Sequence, residues 1–107
     1  MGLINVKSAS VLAAEQVESN RIALKSTRDT DLLAITHTLS DGSVVQVQPS
    51  DLANFNMAIL AGNAEDWVLE DNTVRELSVS EMEESVQSGI VQAKVIWKTY
   101  TDGLKQL

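Results

Sequence analysis

Apolar positions along the chain change period several times, and each change marks an element. Residues 8–27 carry Val11, Ala14, Val17 and Leu24 at spacings of three and seven, the period of one helix face. Ser8 or Ser10 can cap this helix by accepting from an unpaired backbone N–H. Glu15 and Glu18 precede Arg21, Lys25 and Arg28, the charge order that suits a helix dipole. Its stripe is thin, with only Val17 and Leu24 large, so the helix needs another surface to be stable.

Residues 32–39, rich in β-branched side chains, read as a strand, Ser40-Asp41-Gly42 as a turn, and residues 43–48 as the return strand. A three-residue loop with Gly42 in the left-handed region pairs His37 with Val45. It places Ile35, Leu39, Val45 and Val47 on one face, whereas a two-residue turn splits them. Pro49 ends the strand, because it lacks a ladder donor. Residues 50–61 hold Leu52, Phe55 and Ile59 at helical spacing, with Met57 and Leu60 on the flank and Gly62 as the C-terminal cap. A second hairpin follows. A two-residue turn at Asp71-Asn72 puts Trp67, Leu69 and Val74 together.

The last helix has overlapping capping boxes at Ser78/Glu81 and Ser80/Glu83. Val79, Met82, Val86, Gly89, Ala93, Ile96, Tyr100, Gly103 and Leu107 follow a seven-residue rhythm, which predicts a helix covering the hairpins or a self-associating seam. Gly89 permits close packing. The expected fold is α+β: an N-terminal helix, two β-hairpins (about 31–48 and 66–77) separated by a short helix (about 50–61), and a long C-terminal helix (about 79–104). No internal repeat is visible in the residues.

A chain of 107 residues with 44% apolar content is long enough for one modest core. Its four aromatics, Phe55, Trp67, Trp97 and Tyr100, all fall in the second half and are the expected core or interface anchors, with Val17 and Leu24 on the first helix. The net charge is −7. Residues 65–84 concentrate it: Glu65, Asp66, Glu70, Asp71, Glu76, Glu81, Glu83 and Glu84 stand against Arg75 alone. The expectation is one acidic face, a solvated surface before it is a site. Such a face argues against nucleic acid, which needs clustered Lys and Arg, and against anionic membrane. No secretory signal or membrane span is expected.

Candidate chemistry is sparse. There is no Cys, and His37 is the single histidine, set mid-strand among apolar neighbours with no triad spacing to Ser or Asp. The Ca²⁺ loop pattern, the phosphate-binding glycine motifs and the nucleophile elbow are absent. No catalytic residue, metal ligand or cofactor is assigned.

From about Arg28 to Leu107 the chain resembles a small domain of bacteriophage tail-fibre and tail-fibre-assembly proteins. The resemblance lies in Asp41-Gly42, a helix opening at Ser50-Asp51 with Leu52, Phe55 and Ile59, then Ala61-Gly62 and Trp67. It continues through Asp71-Asn72-Thr73-Val74 and Leu77-Ser78-Val79 into the long last helix. It implies a domain at 28–107 preceded by a helical assembly segment at 1–27, and no catalytic residues. It further implies a non-enzymatic structural or adaptor role in the tail, baseplate or fibre region, in a virion or in host cytoplasm during assembly. Partners would be other phage tail or virion proteins and further copies in a homo-oligomer. An assembly chaperone, or a small acidic inhibitor of a host nucleic-acid-binding protein, are the alternatives.

Overall fold

The computed structural model describes residues 8–107. In chain order it contains α1 (Ala9–Leu33), β1 (Thr36–Thr38), β2 (Val44–Gln46), a 3₁₀ turn (Pro49–Asp51) and α2 (Leu52–Ala61). β3 (Glu65–Val68), β4 (Val74–Leu77) and α3 (Val79–Lys105) complete it. The architecture is α+β, with two separate two-stranded antiparallel hairpins, a short helix between them and a long helix at each end.

α1 is capped by Ser8, whose hydroxyl accepts from Val11 N. The helix runs through residue 27 and continues to Leu33, so Leu32 and Leu33 are helical and not part of the first strand. Two contacts decide this. Leu32 packs against the core from the helix end, and the last carbonyl, Leu33 O, accepts from Gln48 Nε2 at 2.9 Å. The expected boundary at 27/28 therefore falls inside one continuous helix.

The first hairpin has the expected register, His37 opposite Val45, with Val47 N donating to Ile35 O. Ile35, Leu39, Val45 and Val47 are all buried. The second hairpin does not form a two-residue turn. Trp67 pairs with Arg75 and Val68 with Val74, and Leu69 N donates to Thr73 O, leaving a three-residue loop, Glu70-Asp71-Asn72. Asn72 adopts φ 67°, and Asp71 Oδ1 accepts from both the backbone N–H and the hydroxyl of Thr73. That pair of bonds fixes the longer loop. A one-residue slip exchanges faces, so Val74 is exposed and Leu77 is buried instead.

The hairpins belong to a repeated unit. Adding thirty to a residue number in 34–62 gives its counterpart in 64–92: Leu39 and Leu69, Asp41 and Asp71, Ser43 and Thr73, Val44 and Val74, Val47 and Leu77, Leu52 and Met82. The geometry repeats with the residues. Both turns place a left-handed residue at the same point, Gly42 and Asn72. In both, the Asp carboxylate accepts from the backbone N–H two residues on. Both following helices open with a reciprocal capping box, Gln48/Asp51 and Ser78/Glu81. The chain thus holds a strand–turn–strand–helix unit twice, contrary to the expectation of no repeat. The units interlock. Trp67 of the second stacks on Phe55 of the first, and its counterpart His37 lies beside Glu84 of the second. α2 ends at Gly62, in the left-handed conformation. The equivalent position in α3 is Gln92, and that helix runs on to Lys105.

This extension receives α1. The two long helices are antiparallel: Leu24 lies against Gly103, Arg28 beside Trp97 and Tyr100, and Thr36 O accepts from Gln92 Nε2 at 2.8 Å. Gly89 is a close approach. A Cβ there would collide with the buried Val47 side chain.

Candidate functional site

The four aromatics divide into two pairs. Phe55 is fully buried and stacks on Trp67, with ring centroids 4.0 Å apart and planes 19° apart. This pair anchors the core. Trp97 and Tyr100 meet edge to face at 5.9 Å, one turn apart on α3. The Arg28 guanidinium sits 4.7 Å from one ring centroid and 4.6 Å from the other, a cation–π clamp that fastens α1 to α3. Trp97 itself remains 45% exposed. Leu24 fills the space above Gly103, and Val17 is half-buried. The sequence reading named both rings but missed Arg28. The signal for it was its place four residues after Leu24, on the same helix face.

The acidic residues do not form one face. Glu65 and Asp66 line a groove with Asn54, Met57 and Ala61 of α2. Glu70 lies at the tip of the second hairpin, where Asp41, Asp71, Ser43 and Thr73 line a second groove between the two turns. Glu81 is paired: Arg75 contacts Asp41 Oδ2 through Nε and Glu81 Oε2 through Nη2, both at 2.9 Å. Glu84 stands beside His37, and Glu83 is exposed. The concentration along the sequence is broken up because residues 65–84 pass through a hairpin and then turn into a helix.

Hydrogen bonding accounts for the titration of the turn carboxylates. The Ser43 backbone N–H, then its hydroxyl, holds the Asp41 carboxyl below its ordinary value, with Arg75 adding to the effect. The Thr73 hydroxyl and backbone N–H do the same for Asp71. Glu81 is lowered chiefly by its hydrogen bond from Arg75, then by the Ser78 N–H of the capping box. Arg75 is raised in turn, with Glu81 the main cause. These shifts stabilise turns and a helix start.

His37 Nε2 is shielded from solvent and has no hydrogen-bond partner among the described residues, with Glu84 Oε1 3.5 Å away. Among the described residues no Ser or Asp is hydrogen-bonded to it. Among the described residues no cluster of His and carboxylates could hold a metal ion, and no helix is long and apolar enough to cross a membrane.

The remaining feature is the start of α1. No residue of this helix is buried. Asn20 lies near Gln106 and Leu107 at the end of α3, so Ala9–Ser19 project past it as a three-turn arm. Val11 and Leu12 on that arm are exposed. The fold and this surface define a small α+β module, a repeated hairpin–helix head with a helical arm. Comparison with protein families, with curated proteins and with solved structures gives no match.

Proposed function

We propose that this chain is a non-enzymatic assembly protein that works through protein–protein contacts in the tail, baseplate or fibre region of a bacteriophage particle. The observation that carries the contact-based reading is the uncovered arm. A helix segment of about twelve residues or fewer is marginal alone in water, and among the described residues none of Ala9–Ser19 is buried. Exposed Val11 and Leu12 at its start give it an apolar surface suited to a partner. The tail assignment is supported by the order of turn, cap and aromatic residues from Asp41-Gly42 to Leu77-Ser78-Val79.

The test is capture of tagged full-length chain from cells assembling the phage, followed by mass spectrometry of the bound proteins and of purified particles. Stoichiometric tail, baseplate or fibre proteins are expected, and their loss with Leu12→Glu. Recovery of the chain free of every particle component would refute the assignment.

A further inference from the structure

β3 has a free edge. Its sheet contains β4 and no third strand, and Trp67 lies opposite Arg75. Leu69 N donates to Thr73 O, and hydrogen-bonded pairs alternate along an antiparallel ladder. Glu65, Trp67 and Leu69 therefore bond to the facing strand, and the backbone N–H and C=O groups of Asp66 and Val68 point away from it. Among the described residues no other hydrogen bond reaches those groups.

A groove lies beside this edge, lined by Asn54, Met57, Ala58 and Ala61 of α2 and by Glu65, Asp66 and Trp67 of β3. The helix wall is uncharged along its whole length, and Met57 on it is 70% exposed. The strand wall is acidic. None of the ion pairs among the described residues involves Glu65 or Asp66, and Arg75 on β4 is held by Asp41 and Glu81. An anionic rim with no counter-charge, set beside an apolar wall, favours a cationic amphipathic occupant. It also opposes a second copy, because another β3 laid here brings its own Glu65 and Asp66 to the same edge.

We propose that an extended basic segment of a partner protein adds to β3 as a further strand, its backbone bonded to Asp66 and Val68. Side chains alternate between the two faces of a strand. Apolar ones on one face meet Met57, Ala58 and Ala61, and Lys or Arg on the other meet Asp66. Strand addition draws affinity from main-chain hydrogen bonds and selectivity from those alternate side chains. This contact lies on the hairpin–helix head and is separate from the arm.

The probe is a capped heptapeptide of alternating Val and Lys, titrated into the isotope-labelled full chain and followed by NMR. The amides of Asp66 and Val68 and the Trp67 indole are expected to shift, and the two amides to gain protection from exchange. Only one edge of an added strand faces β3. Methylating the backbone nitrogens of one alternate set, Val or Lys, should therefore weaken binding about tenfold or more, and methylating the other set should not. Glu65→Lys with Asp66→Lys should weaken it as much. Glu70→Lys with Glu83→Lys, at exposed positions outside the groove, should leave it unchanged, as should Leu12→Glu on the arm. Unshifted Asp66 and Val68, equal effects of the two methylated sets, or equal losses in the two charge-reversed pairs would each overturn the proposal. So would equal binding of a Val and Glu peptide.

Discussion

Gly89 shows how a single residue sets the distance between hairpin and helix. A methyl group there meets Val47, which is 1% exposed and enclosed by the core, so the clash cannot be relieved toward solvent. Gly89→Ala is expected to cost about 1–3 kcal/mol by overpacking, read from urea unfolding. At Gly103 the added methyl meets only the tip of the half-buried Leu24 side chain, and Gly103→Ala should cost less. The two turns give a second contrast. Gly42, at φ 89°, has open space around its Cα, so Gly42→Ala should cost only the left-handed strain of about 1–2 kcal/mol. Asn72→Gly should be close to neutral. The carboxylates of Asp41, Asp71 and Glu81 all titrate below their ordinary values. A depressed folded-state value means that their stabilisation is complete above the ordinary carboxylate range. It is lost as pH falls through that range toward the folded values. Thr73→Val removes the hydroxyl that does most for Asp71 and should flatten the acid limb of a stability–pH curve. Gly42 was legible in the sequence because only one loop length buries four apolar residues. Asn72 was not, because Asp71-Asn72 suits two turn types and the deciding bonds come from Thr73.

Between elements, the Arg28 clamp is the polar tie of α1 to α3. Cation–π contacts contribute roughly 0.5–2 kcal/mol depending on solvent exclusion. Arg28→Ala should raise amide exchange in residues 20–33 well above that of residues 79–92, and shift the emission of Trp97. Equal exchange in the two segments of the variant would show that Leu24 and Leu32 suffice. The helix itself was legible in its caps and charge order, but its end was not. Leu32-Leu33-Ala34-Ile35 is an apolar run whose period fits strand and helix alike, and the choice is made by Gln48, fifteen residues on. The repeat escaped for a similar reason. Its agreement lies in single turn, cap and core residues thirty apart, while Phe55 and Ser85, both fully buried, share no chemistry. The acidic surface was legible as composition and not as place, because its residues straddle strand, turn and helix.

The whole molecule is long for its size, 74 × 26 × 23 Å with a radius of gyration of 20.8 Å. A compact domain of 100 residues has a radius near 13 Å, by an approximate scaling. The excess comes from the paired stretch of α1 and α3 together with the arm, which add length with little core. A partner laid on the arm would cover the exposed Val11 and Leu12. Amide hydrogen exchange of Ala9–Ser19 tests this most directly, measured in the chain alone and in the assembly captured from phage-producing cells. Exchange in the arm is expected to slow in the assembly relative to the chain alone, and Leu12→Glu is expected to abolish capture. Equal exchange of the arm in both states would contradict it.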